Sequence, residues 1–97
     1  MITLDAFRSS VSDASPPKDA RPALQALWWA AKGDWNRAHD CAQADHGPAG
    51  GLVHAYLHRK EPDPANARYW YNRAGRPPAT VSLEQEWDAL AGELLSG

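Results

Sequence analysis

Gly33-Asp34-Trp35-Asn36-Arg37-Ala38 is the stretch on which the fold turns. A glycine that stops one helix is followed at once by an aspartate able to cap the next. An aromatic comes after it and, three residues on, an alanine small enough for close helix packing. Two helices joined by so short a turn must run back along one another. A second signal of the same kind stands in Glu61-Pro62-Asp63-Pro64-Ala65-Asn66-Ala67, where Pro62 breaks a helix, Asp63 caps the next and Pro64 takes its first position. Recurrence of a stop, an acidic cap and an inward alanine predicts stacked helical hairpins.

Working outward, the first hairpin spans 20–46. Asp19 reads as its cap and Pro22 fits its first turn, while Leu24, Leu27, Trp28 and Ala31 form the apolar stripe that ends at Gly33. Trp35, Ala38, Cys41 and Ala42 share a face of the returning helix, which closes near His46-Gly47. The second hairpin spans 48–75. Pro48 opens it, and Leu52, Val53, Tyr56 and Leu57 form its first apolar side. Ala67, Trp70, Tyr71 and Ala74 follow at i, i+3, i+4 and i+7 before Gly75 and Pro77-Pro78 terminate it. Ser82 and Gln85 make a capping box ahead of Leu83, Trp87, Leu90, Ala91 and Leu94, which predicts an amphipathic helix over 82–95 that seals the open end of the stack. In the arm 1–19, Leu4, Phe7 and Val11 with Thr3 as cap predict a short helix, followed by the Ser15-Pro16-Pro17 linker. The expected architecture is all-α, with the helical domain at 20–97.

A chain of 97 residues suits one domain with one core. Five tryptophans among many alanines fit a core in which aromatic plugs fill alanine-lined grooves, with Trp35 and Trp70 the expected plugs of the two hairpins. A formal charge of −2 supplies no global field for nucleic acid or an anionic membrane. Arg59, Lys60, Arg68, Arg73 and Arg76 do gather beside Tyr69, Trp70 and Tyr71, as in single-strand binders. Most of these cations, however, sit where helix C-termini favour them. The single Cys41 can form no intrachain disulfide, which leans toward a reducing compartment. Asp5 and Arg8 interrupt any signal core and no apolar run approaches membrane-spanning length, so the expectation is a cytoplasmic protein.

The sequence Gly33-Asp34-Trp35 with Ala38 resembles the tetratricopeptide signature at its inter-helix turn, and Ala67, Tyr71 and Ala74 resemble that family's second-helix pattern. The run Asn66 to Gly75, with its Trp70-Tyr71 pair, is similar to the related Sel1-like repeats. The likeness covers Ala20 to Gly75. It departs from the pattern in its shorter unit spacing and at Pro64, which replaces the turn aromatic. The resemblance implies the fold and a general role, a non-enzymatic module that binds a protein or peptide or associates with its own copy. It implies no particular binding residue.

Chemistry-bearing residues are few. His54 and His58 are i, i+4 on one predicted helix and Glu61 lies three residues further, the spacing of paired ligands for zinc or another divalent transition metal. His39 is available as a ligand from elsewhere. No glutamate follows the first histidine, so the hydrolase form H-E-x-x-H is absent. The competing expectation has both rings packed beside tryptophans and donating to carbonyls or carboxylates of a neighbouring helix. Trp29, Arg59, Asn66 and Tyr69 complete the candidate partner- or ligand-binding set. Cys41, on an apolar stripe, reads as an inert packed thiol. With no phosphate loop, nucleophile elbow or carboxylate pair, no catalytic residue is expected; the alternative to an interaction module is a metal- or small-ligand-binding protein centred on His54, His58 and Glu61, and a hydrolytic activity would have to rest on those histidines alone.

Overall fold

In the computed structural model, which describes residues 2–96, the chain forms α1 (Leu4–Ser10), α2 (Pro22–Lys32), α3 (Trp35–Ala44), α4 (Pro48–Lys60), α5 (Pro64–Ala74) and α6 (Leu83–Ser96). No strand occurs among the described residues. The boundaries have local causes. Gly33 and Gly75 adopt the left-handed conformation, φ 91° and 75°, that stops α2 and α5 at little cost only for glycine. Asp34 and Asp63 accept the backbone N–H groups of Arg37 and Asn66 at 3.1 and 3.3 Å, capping α3 and α5. Thr3 accepts the Ala6 N–H for α1, and Ser82 and Gln85 exchange the reciprocal bonds of a capping box for α6. Asp19 does not cap α2. The helix begins at Pro22, and Arg21 before it takes the extended conformation that a following proline favours.

α2 packs chiefly on α3 and α4 chiefly on α5, and α3 against α4 joins the pairs. At that junction Gly50 is required: a Cβ there would lie 1.9 Å from the Asp45 carbonyl oxygen and 2.9 Å from that of Ala42. The first turn of α4 is thereby pressed onto the end of α3.

α6 takes a different place from the one expected. Instead of closing the end of the stack it lies against α2 and α4, the first helix of each pair, with α1 beside it. The reason is apolar area. The α6 stripe of Trp87, Leu90 and Ala91 is buried against the same core that holds Phe7, Leu27, Trp28, Val53 and Leu57. Trp87 stacks on Phe7 at 5.7 Å and donates its indole N–H to the Leu27 carbonyl at 2.8 Å. The plugs are therefore Trp28 and Trp87. Trp35 and Trp70 are only partly buried, and Ala31 is exposed.

An ion pair fastens α6 further. The buried Glu86 carboxylate accepts the Arg59 guanidinium at 2.6 Å and also the Tyr71 hydroxyl, tying α6 to α4 and α5. Burial and the Glu86 carboxylate raise the Tyr71 pKa, so the phenol remains a proton donor. Among the described residues no helix is long and apolar enough to cross a membrane.

Candidate metal centre

Helical periodicity places His54 and His58 one turn apart on α4. The turn between α2 and α3 sets Trp35 at the start of α3, where its indole N–H donates to the Leu57 carbonyl of α4 at 2.9 Å. That bond fixes how α3 lies against α4. His39, one turn after Trp35 and stacked on it at 4.8 Å, is thereby brought to the two α4 histidines. The His39 ring centre lies 4.5 Å from that of His54 and 5.7 Å from that of His58. One ring nitrogen of each histidine can be chosen so that all three lie within 4.8 Å of one another. Around a tetrahedral zinc with Zn–N near 2.1 Å, ligating nitrogens stand about 3.4 Å apart, so closure needs side-chain shifts on the order of 1 Å.

Aromatic rings enclose the cluster. Trp70 of α5 meets His54 edge-on at 4.0 Å and Trp35 meets His58 at 5.8 Å. His54 is 3% exposed, and neither of its ring nitrogens has a hydrogen-bond partner among the described residues. The tryptophan neighbours anticipated for these histidines are present. The anticipated donation from His54 to a neighbouring carbonyl or carboxylate is not. Burial, reinforced by the neighbouring His39 and His58, lowers the His54 pKa to about 4. The His58 pKa is also lowered, first by burial and then by His39, against the opposing pull of Asp63 and Glu61. Both shifts favour the neutral imidazole that a metal requires.

Glu61 is not part of the cluster. Its helical spacing from His58 would hold only if α4 continued, but Pro62 forces the preceding residue out of helical conformation. Glu61 accordingly ends α4 with φ −100° and ψ 102° and is exposed. The other candidate residues are dispersed. Arg59 is engaged by Glu86 and by the Val81 carbonyl. Asn66 donates its side-chain amide to Asp63 at 2.9 Å, a bond within the α5 cap. Trp29 packs edge-on against Trp28 beneath the Arg37 guanidinium. Tyr69 is 52% exposed and meets Trp70 edge-on, one ring removed from His54. Cys41 is partly buried, and burial raises its thiol pKa, as suits an inert thiol.

His39, which the sequence offered as a ligand from elsewhere, does stand beside His54 and His58, and its i+4 spacing from Trp35 is what places it there. The Glu86 anchor had no sequence signal, because an acidic residue early in a helix reads first as dipole compensation. Compared with known proteins, the chain matches no family model, no curated protein and no solved structure.

Proposed function

We propose that this chain is a tetratricopeptide-like helical-hairpin protein that binds a divalent transition metal, zinc foremost, through His39, His54 and His58. The observation that carries the reading is the pair of unpartnered nitrogens on the buried His54, beside two further imidazoles. A buried polar ring without a partner costs the fold about 1–3 kcal/mol, and a metal supplies the missing bond. Imidazole ligands suit zinc, copper, nickel and iron, and three of them leave a fourth position of a tetrahedral zinc open. The group is made of three imidazoles, and the reading proposed is one of metal binding.

The protein-interaction and self-association reading has less support. Tyr69 and Val81 are the exposed large hydrophobics among the described residues, and α6 covers the face shared by α2 and α4.

Zinc titration of chelator-stripped protein tests the proposal. The expected result is one saturable site per chain and a rise in melting temperature. The stabilisation should be about 2.7 kcal/mol at a hundredfold excess over Kd, and should disappear in His39→Ala/His58→Ala. Both replaced rings are only partly buried, so that variant retains the core. A melting temperature indifferent to zinc, or raised equally in the double variant, would overturn the proposal.

A further inference from the structure

α4 has a second face. Tyr56 and Lys60 stand one turn apart on it, each two residues on from His54 and His58 and so turned to the opposite side of the helix, toward α2 and α6. On that side a cleft of about 660 Å3 opens where α1, α2, α4 and α6 meet, a volume within the range of small-molecule sites. Its walls are largely apolar, made by Val11 after α1, Ala31 of α2, and Leu83 and Trp87 of α6. The Trp87 indole N–H is already given to the Leu27 carbonyl, which leaves the ring as an apolar surface.

Tyr56 borders the cleft and is 3% exposed, and its hydroxyl has no hydrogen-bond partner among the described residues. Unlike the His54 nitrogens, this hydroxyl is not sealed from the surface, so an incoming group can reach it. Burial, and then the Glu86 carboxylate, push its pKa up to about 12, which keeps the phenol a proton donor at neutral pH. A donor so placed calls for an acceptor. One turn on, Lys60 also borders the cleft, donating to the Ala30 carbonyl at 3.3 Å and pairing with no carboxylate among the described residues. The Arg8 guanidinium is taken by Asp88 at 2.9 Å. Glu84, on α6, is exposed and free to turn to solvent.

We infer that this cleft binds a small organic monocarboxylate, its apolar or aromatic body laid against Trp87, Leu83 and Val11 and its carboxylate accepting from the Tyr56 hydroxyl and the Lys60 ammonium. Both halves of such a ligand are needed. An inorganic anion would leave the apolar walls uncovered, and an amine would meet two donors with nothing to accept from it. The site shares α4 with the histidines but none of their side chains, so it stands whether or not they hold a metal.

Amide and indole NMR in the presence of a chelator tests this, with sodium phenylacetate, phenylacetamide and phenethylamine as separate probes. Phenylacetate should give saturable shifts at the Trp87 indole N–H and at the amides of Val11 and Lys60, and should bind more tightly than either of the other two. Tyr56→Phe keeps the ring and removes no bond within the protein, so its melting temperature should match that of the natural chain while the Kd for phenylacetate rises about tenfold, the loss of one hydrogen bond to a charged group. Lys60→Gln should bring phenylacetate and phenylacetamide to like affinity. Absence of saturable shifts with phenylacetate, or a Kd that Tyr56→Phe leaves unchanged, would overturn the inference. Phenethylamine binding as tightly as phenylacetate would overturn it too, by giving recognition to Glu84.

Discussion

Replacing His54 with leucine removes two unsatisfied nitrogens and a titrating group while keeping an apolar side chain of similar bulk among Trp70, His39 and His58. In the metal-free protein the folded pKa of His54 is about 4 against an ordinary 6.5. Between those values the unfolded chain holds the extra proton, so stability falls as pH falls. At about 1.4 kcal/mol for each pH unit between the two values the full loss is about 3 kcal/mol, and about 2 kcal/mol of it is gone at pH 5. His54→Leu should therefore lose about 2 kcal/mol less than the natural chain between pH 7.5 and pH 5. At pH 7.5 it should be at least as stable to within about 1 kcal/mol, because removing an unpartnered buried group in favour of an apolar one of like shape is near neutral or stabilising. Urea unfolding followed by tryptophan fluorescence, in the presence of a chelator at both pH values, gives the comparison. The difference between the two proteins removes the acid sensitivity they share through their carboxylates. Equal acid losses in both, or a variant weakened by more than about 2 kcal/mol at pH 7.5, would refute the reasoning by showing that the imidazole is satisfied and structural.

Gly50→Ala should destabilise by about 1–3 kcal/mol in urea melts although alanine is the better helix former, because the new Cβ meets backbone oxygens that cannot retract as a flexible side chain would. Equal or higher stability would mean that α3 and α4 do not approach this closely. Arg59→Met should cost about 3–5 kcal/mol by leaving the Glu86 carboxylate buried without its cation, and Arg59→Met/Glu86→Leu should recover most of it. A single variant that melts like the natural chain would place that carboxylate in solvent.

The sequence alone determined where helices begin and end, because those events are decided by a few adjacent residues. Gly33 and Gly75 reach a left-handed conformation, Asp34, Asp63 and Ser82 offer a side-chain acceptor, and Pro22, Pro48 and Pro64 lack an N–H that the first turn does not need. Short turns then pair α2 with α3 and α4 with α5, and helical periodicity puts His54 and His58 on one face. The tertiary structure decided everything that depends on how one helix lies against another. His39 reaches its partners because Trp35 bonds to the Leu57 carbonyl and sets the position of α3 on α4, a contact that no spacing within one helix encodes. Glu61 drops out because Pro62 ends the spiral on which its spacing was reckoned. α6 lies along α2 and α4, and Arg59 is drawn to Glu86, because apolar area and buried charge are satisfied by surfaces distant in sequence that exist only once the helices have packed.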